Sequence, residues 1–267
     1  MAEYTSRSFD LLTLGQLLLR LSPPDNDRLS RGDTFVKQVG GAELNVAVGA
    51  SLLGLRTGVI SKLPSHDIGS FMKGKIRSFG VSDDFFMYDD SPSARVGIYY
   101  YENGAYPRKP KVIYDRMNSS FFSLNIDEIP KEVYTASKCF HTTGITLALS
   151  PQIRETTIEM IKRFKEAGTL VSFDVNFRGN LWSGDEAREC ILKILPYVDI
   201  FFCSEDTARL TFLKTGTAKE MMKSFTEEYP ISIVASTQRI VHSPKRHTFG
   251  SVIYDACQNT YYEEEPY

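Results

Sequence analysis

The chain has 267 residues, long enough to bury a substantial core, and its 31 basic and 33 acidic side chains leave a formal net charge of -2. No long block of one sign occurs, which removes the electrostatic footprint of a nucleic-acid or anionic-membrane binder and points to a small-molecule partner. The opening MAEYTSRSFD lacks a basic stretch followed by an apolar one, and no apolar run reaches the roughly 18 residues of a membrane span, so a cytoplasmic protein is expected. Cys139, Cys190, Cys203 and Cys257 are scattered, form no CxxC, and read as reduced core thiols.

From Phe9 onward, apolar runs of strand length alternate with longer segments of helical period, the pattern of an α/β protein with a mainly parallel central sheet flanked by helices. Strands are predicted at 9–14, 58–61, 138–141, 170–174, 200–203 and 231–235. Ser150 followed by Pro151 opens a helix over 152–167, which Gly168 closes. Ser183 with Glu186 forms a capping box that opens a helix running to about 195. Two stretches break the rhythm, 17–38 and 95–115. The second, RVGIYYYENGAYPRKPKVIYD, reads as a hairpin turning at Asn103-Gly104. Strands inserted between βα units make a flap or small accessory sheet, and no linker divides the chain, so residues 1–267 are expected to form one domain.

The stretch KQVGGAELNVAVGASLLG sets two glycines before a helix and an asparagine in its first turns. Gly40 and Gly41 allow a sharp turn and a close ligand approach. Neither GxGxxG after a strand nor GxxxxGK[ST] is present, and Asn45, donor and acceptor on one side chain, suits a hydroxyl better than a phosphate. That favours a sugar, although a tight loop before an exposed helix residue explains the pattern equally well when it is taken alone. In SFDVNFRGNLW, Asp174, Asn176 and Arg178 alternate past a strand end and are expected to project to one side at the carboxyl edge of the sheet, where ligands gather. An ion pair between Asp174 and Arg178 is the structural alternative.

GGAELNVAVGASLLG, preceded by FDLLTLGQLLLRLSPP and followed by SFDVNFRGNLWSGDEA, resembles the ribokinase-like (PfkB) carbohydrate kinases and, among them, the 2-keto-3-deoxygluconate kinases. The resemblance runs over nearly the whole chain. It implies a ribokinase-like fold with a β-lid built from the two inserted segments, homo-oligomers formed through that lid, ATP and Mg2+ as cofactors, and a small-molecule sugar acid as substrate. It also implies that Gly41 and Asn45 hold sugar hydroxyls, that Tyr99, Tyr114 and Arg116 reach the substrate from the lid, and that Asn176 and Arg178 face the sugar and the moving phosphate. A planar guanidinium suits a sugar-acid carboxylate because it pairs bidentately, which is the role expected of Arg116. Arg20 stands where many relatives carry an acid. Asp174 is expected to orient its neighbours, and Trp182 to pack at a helix start.

The pattern departs from the family in four places. The glutamate of NxxE or SxxE is Thr207 here, and Glu205 and Asp206 would face other directions on a helix, so no metal residue is assigned. The nucleotide loop reads STQRIVHSPKRHTFGS, in which Ser236 and Thr237, with Ser204 earlier, are the expected nucleotide contacts and Arg239, Lys245 and Arg246 a solvated hairpin. Pro64 and His66 replace a common GxD. No GxGD occurs, so the catalytic aspartate is expected beyond Tyr267, and these 267 residues are expected not to transfer phosphate alone; Glu263, Glu264 and Glu265 read as solvated. A fructokinase or other neutral-sugar kinase, and a non-catalytic sugar-binding protein, are the alternative functions.

Overall fold

The computed structural model describes residues 7–243 and 246–264. The chain opens with β1 (Phe9–Leu14), enters the lid as β2 (Leu18–Ser22) and β3 (Val36–Gly40), then returns through α1 (Ala42–Leu52), β4 (Thr57–Pro64), α2 (Asp67–Ser78), β5 (Val81–Ser82) and β6 (Phe86–Asp89). It re-enters the lid as β7 (Gly97–Glu102) and β8 (Lys111–Asp115). The βα rhythm resumes with α3 (Val133–Ala136), β9 (Ser137–Thr143), α4 (Gly144–Ala148), α5 (Pro151–Glu166), β10 (Leu170–Asp174), α6 (Gly184–Leu192), β11 (Ile200–Phe202), α7 (Glu205–Leu210) and α8 (Ala218–Glu228). It ends in β12 (Ile233–Ser243), β13 (Arg246–Asp255) and β14 (Thr260–Glu264).

The main sheet runs β14-β13-β12-β11-β10-β9-β1-β4-β5, with β6 alongside β4. Pairing is parallel from β12 across to β5, while β12–β13 and β13–β14 are antiparallel. The strand order reverses at β1, which lies between β9 and β4, so the crevice beyond the carboxyl ends of these strands is the place a ligand is expected in an open α/β sheet. The second sheet, β3-β2-β7-β8, is the lid, with β2 and β7 parallel.

One face of the main sheet packs its larger core against α5 and its neighbours. There Phe140 and Phe164 stack at 4.1 Å and both are fully buried, each such side chain stabilising the fold by about 2–3 kcal/mol. The other face is covered by α1 and α2 over β1 and β4, through Leu44, Ala47, Val59 and Met72. Past β9 the second face opens: Leu170, Phe202 and Ile253 are 41, 38 and 40 % exposed.

Several sequence expectations change. The helix expected to reach about 195 stops at Leu192, and a 3-10 turn over Leu195–Tyr197 follows, since Pro196 has no N–H to continue the ladder. Asn103-Gly104 is not the hairpin turn. With that turn, Pro107 and Pro110 would fall inside the returning strand and remove ladder donors. The chain instead reverses at Ala105 and Arg108, whose backbones bond reciprocally at 3.0 and 2.6 Å, and Glu102 pairs with Lys111. The strand expected at 231–235 continues to Ser243 as an exposed hairpin with β13; Arg239 and Arg246 lie on it, solvated as expected, while Lys245 lies outside the described residues, as do Glu265 and Tyr267. Cys190 and Cys203 are buried and Cys139 is partly so, but Cys257 is exposed in the turn after β13 and is not a core thiol. Trp182 packs in the main core, as expected.

Candidate active site

A cavity of about 430 Å³ opens where the sheet order reverses, with the lid as its roof. All seven residues expected to bind substrate line it: Gly41 and Asn45 from the start of α1, Tyr99, Tyr114 and Arg116 from the lid, and Asn176 and Arg178 after β10. The lid presents them by strand alternation, because Leu18 and Arg20 of β2, Tyr99 and Tyr101 of β7 and Val112 and Tyr114 of β8 share the face turned to the cavity. Tyr99 and Tyr114 are directly opposite in register with ring centroids 5.9 Å apart. Arg20 lies over the Tyr101 ring at 4.3 Å, with its Nε donating to Ser22 Oγ.

Arg116 is 8 % exposed. Its Nε donates to Gln16 Oε1 at 2.8 Å, and Gln16 Nε2 donates in turn to the Arg116 carbonyl at 3.0 Å and to Ser119 Oγ at 2.7 Å. Gln16 therefore fixes the guanidinium plane from the loop after β1. The two terminal nitrogens of Arg116 make no hydrogen bond among the described residues. Burial pulls the guanidinium down from its usual range, opposed by the nearby Tyr114 and Glu43. A cation desolvated in a cavity wall has the chemistry to pair with an anion.

Glu43, in the first turn of α1, is 1 % exposed. Thr143 Oγ1 and Thr146 Oγ1 donate to its Oε1 at 2.6 and 2.8 Å, and burial raises its carboxyl above the usual range against those hydrogen bonds. A Cβ at Gly15 would fall 2.2 Å from Oε2, so only glycine allows this approach. Sequence reasoning missed Gln16, Glu43 and Thr143. The one available signal was an acid between apolar neighbours on the buried face of α1; nothing local marked Gln16, whose partner is 100 residues away. Gly41 has φ 156°, and a Cβ there would meet the Gln16 carbonyl oxygen at 2.9 Å.

Asp174, Asn176 and Arg178 do reach one side together, but by a turn rather than by alternation. β10 ends at Asp174, the Asp174 carboxylate accepts the Asn176 N–H at 2.9 Å, and Asn176 adopts φ 38°, a left-handed conformation asparagine tolerates. Asp174 thus orients its neighbour as expected. Its carboxyl is raised by burial, opposed by the Asn176 N–H and by Arg178. Arg178 is exposed and bonds the Phe177 carbonyl.

These three residues also line a second cavity of about 340 Å³, which continues past Phe202 and Cys203 to Ser204, Thr207, Ala235 and Thr237. Hydroxyl donors beside one guanidinium suit a polyphosphate, so Ser204, Thr237 and Arg178 fit the phosphates of ATP. Ser236 does not line this cavity: it is the alternate residue of β12 and is buried on the side of Val234 and Met221. Thr207, at the position of the family glutamate, faces the cavity, whereas Glu205 pairs with Arg209 and neither it nor Asp206 lines it. Among the described residues no three His, Cys, Asp or Glu converge to hold a metal, so no magnesium ligand is assigned. His66, in the altered GxD stretch, caps α2 through Nδ1.

Residues 8–238 match the pfkB family of carbohydrate kinases. The chain belongs to this family. Carbohydrate kinases of the pfkB family are ATP-dependent sugar phosphotransferases and generally use Mg2+. The chain is 35 % identical over 246 residues to a 2-dehydro-3-deoxygalactonokinase of Haloferax volcanii, a match covering 92 % of this chain and 76 % of that one. It is 32 % identical over 225 residues to a probable fructokinase-3 of Arabidopsis thaliana, covering 83 % and 64 %. The solved 2-dehydro-3-deoxygluconokinase of Thermotoga maritima superposes with a TM-score of 0.89 at 28 % identity, covering 97 % of this chain and 80 % of that one. The ribokinase-like architecture expected from sequence is therefore shown. No helix among the described residues is long and apolar enough to cross a membrane.

Proposed function

We propose that this pfkB-family chain is built to phosphorylate a 2-keto-3-deoxy sugar acid, moving the γ-phosphoryl group of ATP to the terminal hydroxyl of 2-keto-3-deoxygluconate or its close stereoisomer. The observation that carries this reading is Arg116: a guanidinium 8 % exposed in the cavity wall, held in plane by Gln16, whose two outer nitrogens make no hydrogen bond among the described residues. A carboxylate accepts both outer donors of that desolvated cation in one planar pair, whereas a neutral sugar offers it hydroxyls alone. The acid would lie with its carboxylate on Arg116 and its hydroxyls toward Gly41, Asn45 and the Asn176 turn. Its far end would then approach the second cavity, which Asn176 and Arg178 share. When ATP is bound with magnesium, they supply the phosphoryl group and neutralise its charge. The chain's own Ser204, Thr237 and Arg178 would hold the phosphates, and the lid tyrosines would exclude water.

The transfer also needs a base for the attacking hydroxyl. The sequence has no GxGD, and both acids of the first cavity are engaged, Glu43 by two threonines and Asp174 by the Asn176 N–H. The 267 residues alone are accordingly read as binding without transferring. Exposed Phe35, Val36 and Ile113 on the lid support pairing of chains through it.

The test is calorimetric titration of the chain with 2-keto-3-deoxygluconate and with fructose, alongside a coupled ADP-release assay. Tighter binding of the acid without ADP release is expected. Preference for fructose would replace the substrate reading by the neutral-sugar one, and turnover would remove the statement about transfer.

A further inference from the structure

We propose that the cleft between the lid tip, where β7 turns into β8, and the β12–β13 hairpin is a second anion site, which takes the phosphate of a sugar phosphate and ties the lid to the hairpin while it is occupied. The cleft shares neither Arg116 nor Gln16 with the substrate cavity, so its occupant is independent of the sugar-acid reading above.

The cleft has a volume of about 480 Å³. The lid contributes Tyr101, Lys109 and Pro110 to its wall, the hairpin Arg239, Val241 and His247, and no carboxylate lines it. Two cations from segments far apart in sequence therefore face one space. Neither Lys109 nor Arg239 has an ion-pair partner among the described residues, although Arg108, next to Lys109, is paired with Glu102 at 2.7 Å. Bringing like charges together costs free energy unless an anion lies between them, and in a chain with 33 acids against 31 bases their gathering is a local departure.

Arg239 is also held in place, although it is exposed. Its guanidinium lies over the ring of Phe249, its partner in cross-strand register, at 5.6 Å to the centroid. Its Nε and one terminal nitrogen donate to His247 Nδ1 at 3.3 and 3.2 Å, so the imidazole props the guanidinium without offsetting its charge. The other terminal nitrogen makes no hydrogen bond among the described residues. Tyr101, Pro110 and Val241 supply apolar surface for the body of a ligand. A phosphate monoester is close to a dianion at neutral pH and so matches two cations, where a carboxylate matches one.

The cleft adjoins both cavities of the candidate active site. Tyr101 also lines the substrate cavity, and Thr237, two residues before Arg239 on the same face of β12, lines the second. A sugar kinase releases a sugar phosphate, so a ligand of this class is at hand where the reaction ends, and its retention in the cleft would hold the lid tip against the hairpin.

The test titrates the chain with glucose 6-phosphate, glucose and ADP by calorimetry and follows hydrogen exchange in the peptides that carry Lys109 and Arg239. Glucose 6-phosphate is expected to bind and to slow exchange in both peptides, and glucose to do neither. Lys109→Gln and Arg239→Gln, both at exposed positions, should melt as the wild type does and each weaken glucose 6-phosphate by at least about fivefold, while Arg178→Gln, in the second cavity, leaves that binding unchanged. No binding of glucose 6-phosphate to the wild type, unchanged affinity in both cleft variants, an equal loss in Arg178→Gln, or glucose bound as tightly as its phosphate overturns the site. Protection of the two peptides by ADP and not by glucose 6-phosphate gives the cleft to the nucleotide and overturns the sugar-phosphate ligand.

Discussion

Replacing Arg116 by methionine separates a receptor from a structural ion pair, since the two assignments predict opposite effects on stability. On the ligand side, truncating one partner of a buried charge pair costs about 3–5 kcal/mol, or roughly 150- to 5,000-fold in affinity for the acid. On the stability side, the lost term is one hydrogen bond from Nε to Gln16, while Gln16 keeps its own bonds to the backbone and to Ser119. Against that loss, removal of a charge 92 % withdrawn from solvent relieves its desolvation, and methionine fills the volume of the stem. The two stability terms are each of order 1–3 kcal/mol and opposed, so unfolding free energy should stay within about 1 kcal/mol of wild type. Calorimetric titration with 2-keto-3-deoxygluconate and a circular-dichroism melt on the same preparations give both numbers, with Arg116→Lys expected to fall between because it keeps charge but loses the planar fork. A fall of more than about 8 °C in the midpoint, which for a chain of this size means over roughly 2 kcal/mol, together with retained acid binding, would refute the reasoning.

Other outcomes follow from the same structure. His141, buried between Ser172 and Phe202, has its imidazole pulled down to about 4 by burial. The unfolded chain binds that proton near pH 6.5 and the folded chain does not, so stability is full above pH 6.5 and falls with acidification to about pH 4, by about 1.4 kcal/mol per pH unit and about 2 kcal/mol at pH 5. Urea titrations at pH 7.5 and 5.0 should show this slope in wild type and lose it in His141→Asn. Gly41→Ala should weaken acid binding at least about tenfold and lower the melting midpoint by a few degrees, because both its backbone angle and its contact with Gln16 are closed to a side chain; an unchanged titration would refute that. In a native thiol titration Cys257 should react at once, while Cys139, with its thiol pushed up to about 12 by burial, and the buried Cys190 and Cys203 wait for denaturant.

The strands over 9–14 and 170–174 were legible to the residue because each is a short apolar run whose neighbours on both sides are turn or helix signals. The lid was legible as an interruption, and its tyrosines as a face, because period-two alternation is a local property. Its turn was not, since the choice between Asn103-Gly104 and Ala105 to Arg108 depended on which prolines the ladder could tolerate and on the ion pair of Arg108 with Glu102. The site divides in the same way. Gly41, Asn45, Asn176 and Arg178 announce themselves by local motif, whereas Gln16 and Glu43 are defined by partners about 100 residues away, on other elements. Ser236 was misplaced by one step of strand alternation, which the sequence alone does not phase.

The eight residues between β7 and β8 lie beyond the stretch that positions the tyrosines, which five cross-strand pairs hold in register from Ile98 to Glu102. Length and composition of that tip are thereby uncoupled from the geometry of recognition. Evolution, or an engineer grafting a peptide there, has room to redraw how the roof meets its surroundings while the grip on the substrate beneath stays as it was.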